Sequence, residues 1–337
     1  MQKNNYFCSQ NILISKMKIL IIRFSSIGDI VLTTPVVRCL KLQLGAEVHF
    51  LTKKSFVGIL KSNPYIDKVF SIEKKTNEVE TELKAEQYDY VIDLHKNLRS
   101  LQIKRFLDTK SSSFNKINIH KWLIVNTKIN ILPKNHIVDR YLETVKFLGV
   151  TNDLKGLDYF IPSQDEVIIK EEYIAFVIGA AHATKRLPTE KIIEICKKIN
   201  YPIFLLGGKD ERETGAQIAS ASGNHVKNTC GEYNLNQSAS LVRQAVCVVS
   251  HDTGLMHIAA AFQKNIISIW GNTIPEFGMY PYFSSGEGNN ISVEVKNLAC
   301  RPCSKIGYDS CPRKHFKCMN EINTSEVAKI IEKFWAV

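Results

Sequence analysis

SHDTGLMHIAAA, Ser250 to Ala261, decides how this chain is read. Apolar, partly β-branched residues from Ala245 to Val249 lead into it and an alanine-rich run follows, so the segment reads as strand, tight turn, helix. Such a turn suits an anion. Asp252, Thr253 and Gly254 stand at the first helical turn, where free backbone N–H groups and the positive end of the helix dipole face whatever docks there. A diphosphate is the natural guest. Helix capping by Asp252 and Thr253, with Gly254 easing the turn, explains the same residues, and this stretch alone does not choose. His257 lies one turn beyond Thr253 on the same face, which fits a packed histidine and a ligand contact equally.

Working outward, the same alternation of short apolar runs and helical segments recurs along the chain. KILIIRF (residues 18–24) reads as a buried strand, FSSIGD as a loop, and Ile30 to Leu44 as a helix stopped by Gly45. Strands are expected at 47–51, 66–70 and 88–94, and a helix over 138–148 ends at Gly149. The polar segment around TNDLKG and IPSQDE reads as a linker, with a boundary near residue 165. A second series follows: strand 173–178, helix 189–199, strand 202–206, helices 211–221 and 235–243, strand 246–250, the opening turn, and strand 265–270. The pattern predicts an α/β protein of two Rossmann-like, doubly wound parallel-sheet halves, 17–165 and 166–320. Residues 321–337 hold a last helix, Ser325 to Trp335, a candidate to pack back across the first half. Residues 1–16 read either as a disordered extension or as sequence ahead of a start at Met17, and are set aside from the fold.

The 337 residues, 45% hydrophobic and 23% charged, are enough for two domains with real cores. No apolar run approaches the roughly 20 residues of a membrane span, and the first 16 residues lack a secretory signal's apolar core, so a cytoplasmic protein is expected. The net charge of +11 calls for an acidic partner: nucleic acid, an anionic membrane surface or a phosphorylated substrate. Five of the nine cysteines, Cys8, Cys39, Cys196, Cys230 and Cys247, are scattered and mostly lie within apolar runs, as buried free thiols do. Cys300, Cys303, Cys311 and Cys318 fall close together and stand apart.

Ligands of a parallel sheet bind beyond the carboxyl ends of its strands, so the loops after strands carry the chemistry. FSSIGD has a single glycine and lacks the GxGxxG spacing of a nicotinamide or flavin site, which disfavours a dehydrogenase. Its Asp29 at a helix start fits dipole capping, and a general base facing the cleft is the alternative. GAAHATKRLP (Gly179 to Pro188) is a better phosphate cradle: small residues allow close approach, and Thr184, Lys185 and Arg186 precede a helix. LLGGKDERE offers Asp210, Glu211 and Glu213, any of which could hold a ribose diol or merely complement a dipole. DLHKNLRS puts His95, Lys96, Asn97 and Arg99 after a strand. With Lys104, Arg105, His120 and Lys121 they make a candidate basic floor for an acidic acceptor, although Lys104 and Arg105 read better as a solvated helix face.

Taken together, MKILIIRFSSIGDIVLTTPVVRCLK, DLHKNLRS, GAAHATKRLP and SHDTGLMHIAAA, in this order from Met17 onward, closely resemble the ADP-heptose:lipopolysaccharide heptosyltransferases, glycosyltransferase family 9. The resemblance implies a GT-B fold, with two Rossmann-like domains facing a cleft, acceptor in the first half and nucleotide-sugar donor in the second. It places the catalytic base on Asp29 and the donor diphosphate contacts on Thr184, Lys185, Arg186, Asp252, Thr253, Gly254 and His257. The ribose acid maps to Glu213 or Glu211, with Glu213 preferred. Ser26, His95, Lys96, Asn97 and Arg99 become acceptor candidates. The implied reaction is an inverting transfer from ADP-heptose to phosphorylated lipid A and core sugars at the inner membrane's cytoplasmic face. No DxD sequence occurs, so nothing in the sequence requires a bridging metal. Leu187 stands where many family members have tryptophan. The tail CRPCSKIGYDSCPRKHFKCMN also resembles one found in some members. Cys300, Cys303, Cys311 and Cys318, with His315 between the last two, have the ligand types of a structural zinc site or pack as free thiols.

Two other readings remain at this point. A nucleotide-sugar epimerase on the same fold would turn over the donor without an acceptor. A nucleic-acid-binding protein would use the charge and the cysteine tail. The basic residues are spread among loops rather than forming a stripe with interleaved aromatics, which counts against nucleic acid.

Overall fold

The computed structural model describes residues 16–284 and 289–336, so the expectation for the first sixteen residues lies, Lys16 apart, outside the described residues. The first half is a five-stranded sheet: β1 (Lys18–Ile22), β2 (Glu47–Lys53), β3 (Lys68–Ile72), β4 (Tyr90–Asp93) and β5 (Ser111–Ser113), in the order β3-β2-β1-β4-β5. The second half is six-stranded: β6 (Ile174–Val177), β7 (Ile203–Leu206), β8 (Val226–Asn228), β9 (Cys247–His251), β10 (Asn265–Trp270) and β11 (Asn290–Glu294), in the order β11-β10-β9-β6-β7-β8. Every pairing is parallel, with Ile19 opposite Val48 and Tyr90 in one sheet and Ile174 opposite Ile203 and Cys247 in the other. Helices cover both faces, so the central strands are continuous apolar runs, and Ile19 to Ile22 and Ile174 to Phe176 are wholly buried.

In each sheet the first strand lies between the second and the fourth, so successive connections leave in opposite directions beside β1 and beside β6. A crevice opens at such a point beyond the strand ends, and the two crevices face each other. The expected helix 30–44 is two helices, Ile27–Val31 and Thr34–Leu44. Pro35, at the second position of the latter, has no N–H to continue the first.

The linker is held rather than free. Buried Arg38 donates to both Asp153 oxygens at 2.8 and 2.7 Å and to the Gly156 carbonyl at 2.9 Å, and it pairs with Asp158. From Glu166 the chain lies on the second half, where the Val167 and Ile169 amides bond Ser240 and Gln244 of the helix Leu235–Gln244.

The last helix, Thr324–Trp335, does not cross to the first half. Val327, Ala328, Ile331 and Phe334 make one apolar stripe that is buried in the core of the second half with Ile192 and Ile195, and Trp335 stacks on Tyr201 at 4.3 Å. Three strands went unexpected, β5, β8 and β11, and all are sheet edges. No helix among the described residues is long and apolar enough to cross a membrane.

Candidate functional site

A cleft of about 1060 Å³ lies between the two sheets and is lined from both halves. On the first-half wall, Ser26 closes the loop after β1 and the helix Ile27–Val31 carries Gly28 and Asp29 in its first turn. Asp29 lines the cleft and also caps its own helix. Its Oδ2 accepts from the Ser26 amide at 3.1 Å and the Ser26 hydroxyl at 2.8 Å, which caps the helix. Its Oδ1 meets the Arg23 guanidinium at 2.7 Å. Burial would push this carboxyl up, but the Arg23 charge and the Ser26 hydrogen bonds outweigh it and hold the acid below the usual carboxylate range.

Arg23 is a site residue that the sequence reading missed, because it sits inside an apolar run. It is 8% exposed and also donates to the Ser25 and Leu94 carbonyls and the Tyr141 hydroxyl, so its charge has one orientation.

His95 lines the same wall with its ring edge-on to Phe24. Burial, with Arg23 and Lys116 adding, lowers it to about 4, so the ring is neutral, and its Nδ1 has no partner among the described residues. Lys96, Asn97 and Arg99 do not line the cleft. Asn97 caps the helix Leu98–Leu107 through the Ser100 amide, and Lys96 and Arg99 are exposed. Lys104 is tied to Asp93 and Ser113, whereas Lys121, on the helix Asn118–Thr127, reaches into the cleft over the Phe277 ring.

On the second-half wall, Lys185 and Arg186 come from the loop after β6. Lys185 Nζ stands 2.5 Å from Asp252 Oδ2, which also accepts from the Thr273 hydroxyl at 3.1 Å. Asp252 thus holds the lysine rather than capping the helix. Thr253 is the N-cap residue of the helix Gly254–Ala261, and Thr253, Gly254 and His257 all line the cleft. Buried His257 is lowered to about 4 by burial and its Nδ1 is unpartnered among the described residues.

Thr184 faces elsewhere: it is buried, and its hydroxyl and amide bond the Tyr308 backbone. Buried His251 accepts the Leu187 amide at 2.9 Å and so fixes the basic loop from behind. Of the acids after β7, Glu211 and Asp210 line the cleft, whereas Glu213 is exposed outside it. Glu211 accepts from the Gly208 amide at 2.8 Å and lies 3.4 Å from Arg186.

The two walls meet through glycines. A Cβ on Gly28 would fall 2.5 Å from His257 Cδ2, and one on Gly254 would fall 2.6 Å from Ile27 Cγ2. Both helix N-termini therefore converge on one volume that also holds the acid–arginine pair and the lysine. Lys116, Arg140 and Lys305 add further cations to the lining, and none was singled out in the sequence: Lys116 and Lys305 lie in irregular stretches, and nothing marks which face of its helix Arg140 occupies.

Cys300, Cys303 and Cys311 are half-buried and Cys318 is buried, its thiol pushed up to about 12 by burial. Tetrahedral zinc with Zn–S of about 2.3 Å places sulfurs about 3.8 Å apart. Among the described residues no three of these sulfurs lie within 4.8 Å of one another, although Cys318 feels the charges of Cys303, Cys300 and Cys311.

The chain is 25% identical to lipopolysaccharide heptosyltransferase 1 of Campylobacter coli over 95% of its own length and 99% of the relative's. Its fold matches E. coli ADP-heptose lps heptosyltransferase II with a TM-score of 0.73 at 19% identity, covering 94% of this chain and 98% of that one. It also matches E. coli heptosyltransferase WaaC, solved with ADP-2-deoxy-2-fluoro heptose, with a TM-score of 0.68 at 21% identity over 94% and 99%. The architecture is GT-B. With residues 77–307 matching the family model for glycosyltransferase family 9 (heptosyltransferase), the chain belongs to that family and is a glycosyltransferase.

Proposed function

We propose that this enzyme transfers a heptose from ADP-heptose to a lipopolysaccharide-type glycolipid with inversion at the anomeric carbon. The observation that carries the reading is the meeting, in one cleft, of an ionised Asp29 held by Arg23 with a lysine held by Asp252 beside a helix N-terminus. The relatives' named activities supply the sugar and acceptor class.

Asp29 takes the proton of an acceptor hydroxyl as that oxygen bonds to the anomeric carbon. The bond from that carbon to the β-phosphate oxygen breaks, and ADP leaves with the electron pair. A carboxylate with a lowered pKa is a weak base, but it suffices here, because in an oxocarbenium-like transition state the attacking hydroxyl becomes acidic as its bond forms. Lys185, Arg186 and the amides opening the helix Gly254–Ala261 face the charge that develops on the leaving diphosphate. Glu211, rather than Glu213, is placed for the ribose. His95 and His257, both neutral, are hydrogen-bonding groups and not charges.

The acceptor side adjoins a surface suited to anionic lipid. Ile119 and Trp122 on the helix Asn118–Thr127, and Ile129 and Ile131 after it, are 74, 60, 58 and 51% exposed in a chain of net charge +11.

Thermal unfolding with ADP, UDP, GDP and ADP-heptose tests the reading, because a ligand of the native state raises Tm by mass action. An adenine-selective shift, reduced in Lys185→Ala, is expected. A shift with UDP or GDP alone overturns the ADP-sugar assignment.

A further inference from the structure

The cysteine-rich tail is part of the cleft, and its role there is chemical as well as structural. Its turn is rigid: the Ser304 hydroxyl accepts from the Ile306 and Gly307 amides at 3.0 and 2.9 Å, and Tyr308 is bonded through its backbone to Thr184. Gly307, at φ 142°, packs against His182, where a Cβ would lie 2.5 Å from that residue's own Cβ. The first half grips the same tail, since Lys128 Nζ donates to the Pro302 and Cys300 carbonyls at 2.7 and 3.3 Å.

This turn presents Lys305 into the cleft opposite Lys116 and Lys121. Among the described residues no carboxylate lies within 4.0 Å of any of the three lysines, whereas Lys185, Lys104 and Arg23 each have one. Burial lowers Lys116, and lowers Lys121 to about 8; repulsion from Lys305 contributes to both, behind Arg23 for Lys116 and Arg140 for Lys121, and the more distant Asp29, with Asp93 or Asp252, opposes it. Lys116 and Lys121 are half-buried and Lys305 is exposed, and gathering the three at one cleft with no carboxylate in ion-pair contact leaves a positive lining that a bound anion would neutralise. Three ammonium groups suit a compact anion of nearly two charges better than a planar carboxylate, which an arginine fork would match.

Resting on the transferase reading above, we infer that Lys116, Lys121 and Lys305 form a subsite for a phosphomonoester of the acceptor, with the cysteine-rich tail as its second wall.

The test uses full-length enzyme and two acceptors: the phosphorylated glycolipid and the same material after phosphatase treatment. Lys305→Glu is expected to raise the KM for the phosphorylated acceptor roughly tenfold, the scale of a partly solvated charge contact. KM for ADP-heptose and its thermal shift should be unchanged, and the penalty should vanish with the dephosphorylated acceptor. Lys305→Ala should give a smaller effect of the same pattern. An equal penalty on both acceptors overturns the phosphate assignment, and a raised donor KM instead overturns the acceptor side. Turnover with unchanged kinetics sinks the subsite alone. An enzyme that neither shifts with ADP-heptose nor turns it over removes the transferase reading and the subsite with it.

Discussion

The two halves share a sheet topology and meet in one cleft, yet they line it with opposite chemistry. The sheet loops of the second half work through backbone: Gly179, Gly207, Gly208 and Gly254 border the cleft, and Lys185 is neutralised by Asp252, which leaves Lys305 of the tail as that half's unpaired lysine. The first half works through side chains: an arginine–aspartate pair sits beside Lys116 and Lys121, which have no carboxylate partner among the described residues. A diphosphate can be recognised by amides and one cation whatever is attached to it. An acceptor has to be chosen, and on the proposed reading choice among acidic glycolipids would fall to charge that no carboxylate pairs.

The comparison can be broken most directly at Asp29. Asp29→Asn is expected to lower kcat by about 10²–10⁴-fold, the range for losing a general base, while the donor-induced thermal shift persists. Loss of the shift as well would mean that the two walls do not divide the labour. Arg23→Gln sharpens the same point through pH. Arg23 is the charge that opposes the upward push of burial on Asp29, so without it the carboxyl titrates higher, and the acidic limb of kcat/KM moves to higher pH. In the intact protein the stability gained from the ionised acid is present above the ordinary carboxylate value and is lost only as pH falls through the lowered one.

Next in size is Gly28→Ala. The added methyl group collides with His257 at 2.5 Å, so a loss of roughly 1–3 kcal/mol is expected in denaturant unfolding, relieved in the Gly28→Ala/His257→Ala double variant. No relief would mean that the walls do not touch there in solution. The smallest effect concerns the outer face. Ile119→Ala with Trp122→Ala should weaken flotation with phosphatidylglycerol-containing vesicles by roughly three- to tenfold and leave detergent-solubilised activity unchanged. Equal binding to neutral vesicles would overturn an anionic-surface role.

The central strands were legible because burial on both faces writes an uninterrupted apolar run, as in KILII and IAFV. The edges were not. β5 is Ser111–Ser113, three serines that no apolar pattern distinguishes, and β8 has an exposed lysine at its centre. The placement of the last helix was misjudged, since its stripe of apolar residues shows that it packs but not on which sheet.

In the site, motif residues of the second half reached the cleft because a glycine and a helix start mark a backbone function in any single sequence. Thr184 is the exception: a threonine beside a lysine has no pattern saying which of them turns inward, and the Tyr308 backbone claims it. In the first half Lys96 and Arg99 looked like the acceptor floor from proximity to a strand end, but both are exposed, Lys96 just ahead of the Asn97 cap and Arg99 in the first turn of the helix it starts. Lys116 and Lys305, which do line the floor, are separated in sequence by more than the length of either half and are brought together by the tail's return.

Because Gly28 abuts His257 and Gly254 abuts Ile27, the unit of inheritance in this architecture is not the domain. A half grafted from a relative would carry its own sheet and ligand loops intact and still fail to seat if its partner at this joint had a bulkier residue. Exchange of halves between relatives would therefore require the facing pairs, residues 28 with 257 and 254 with 27, to match in size or to change together.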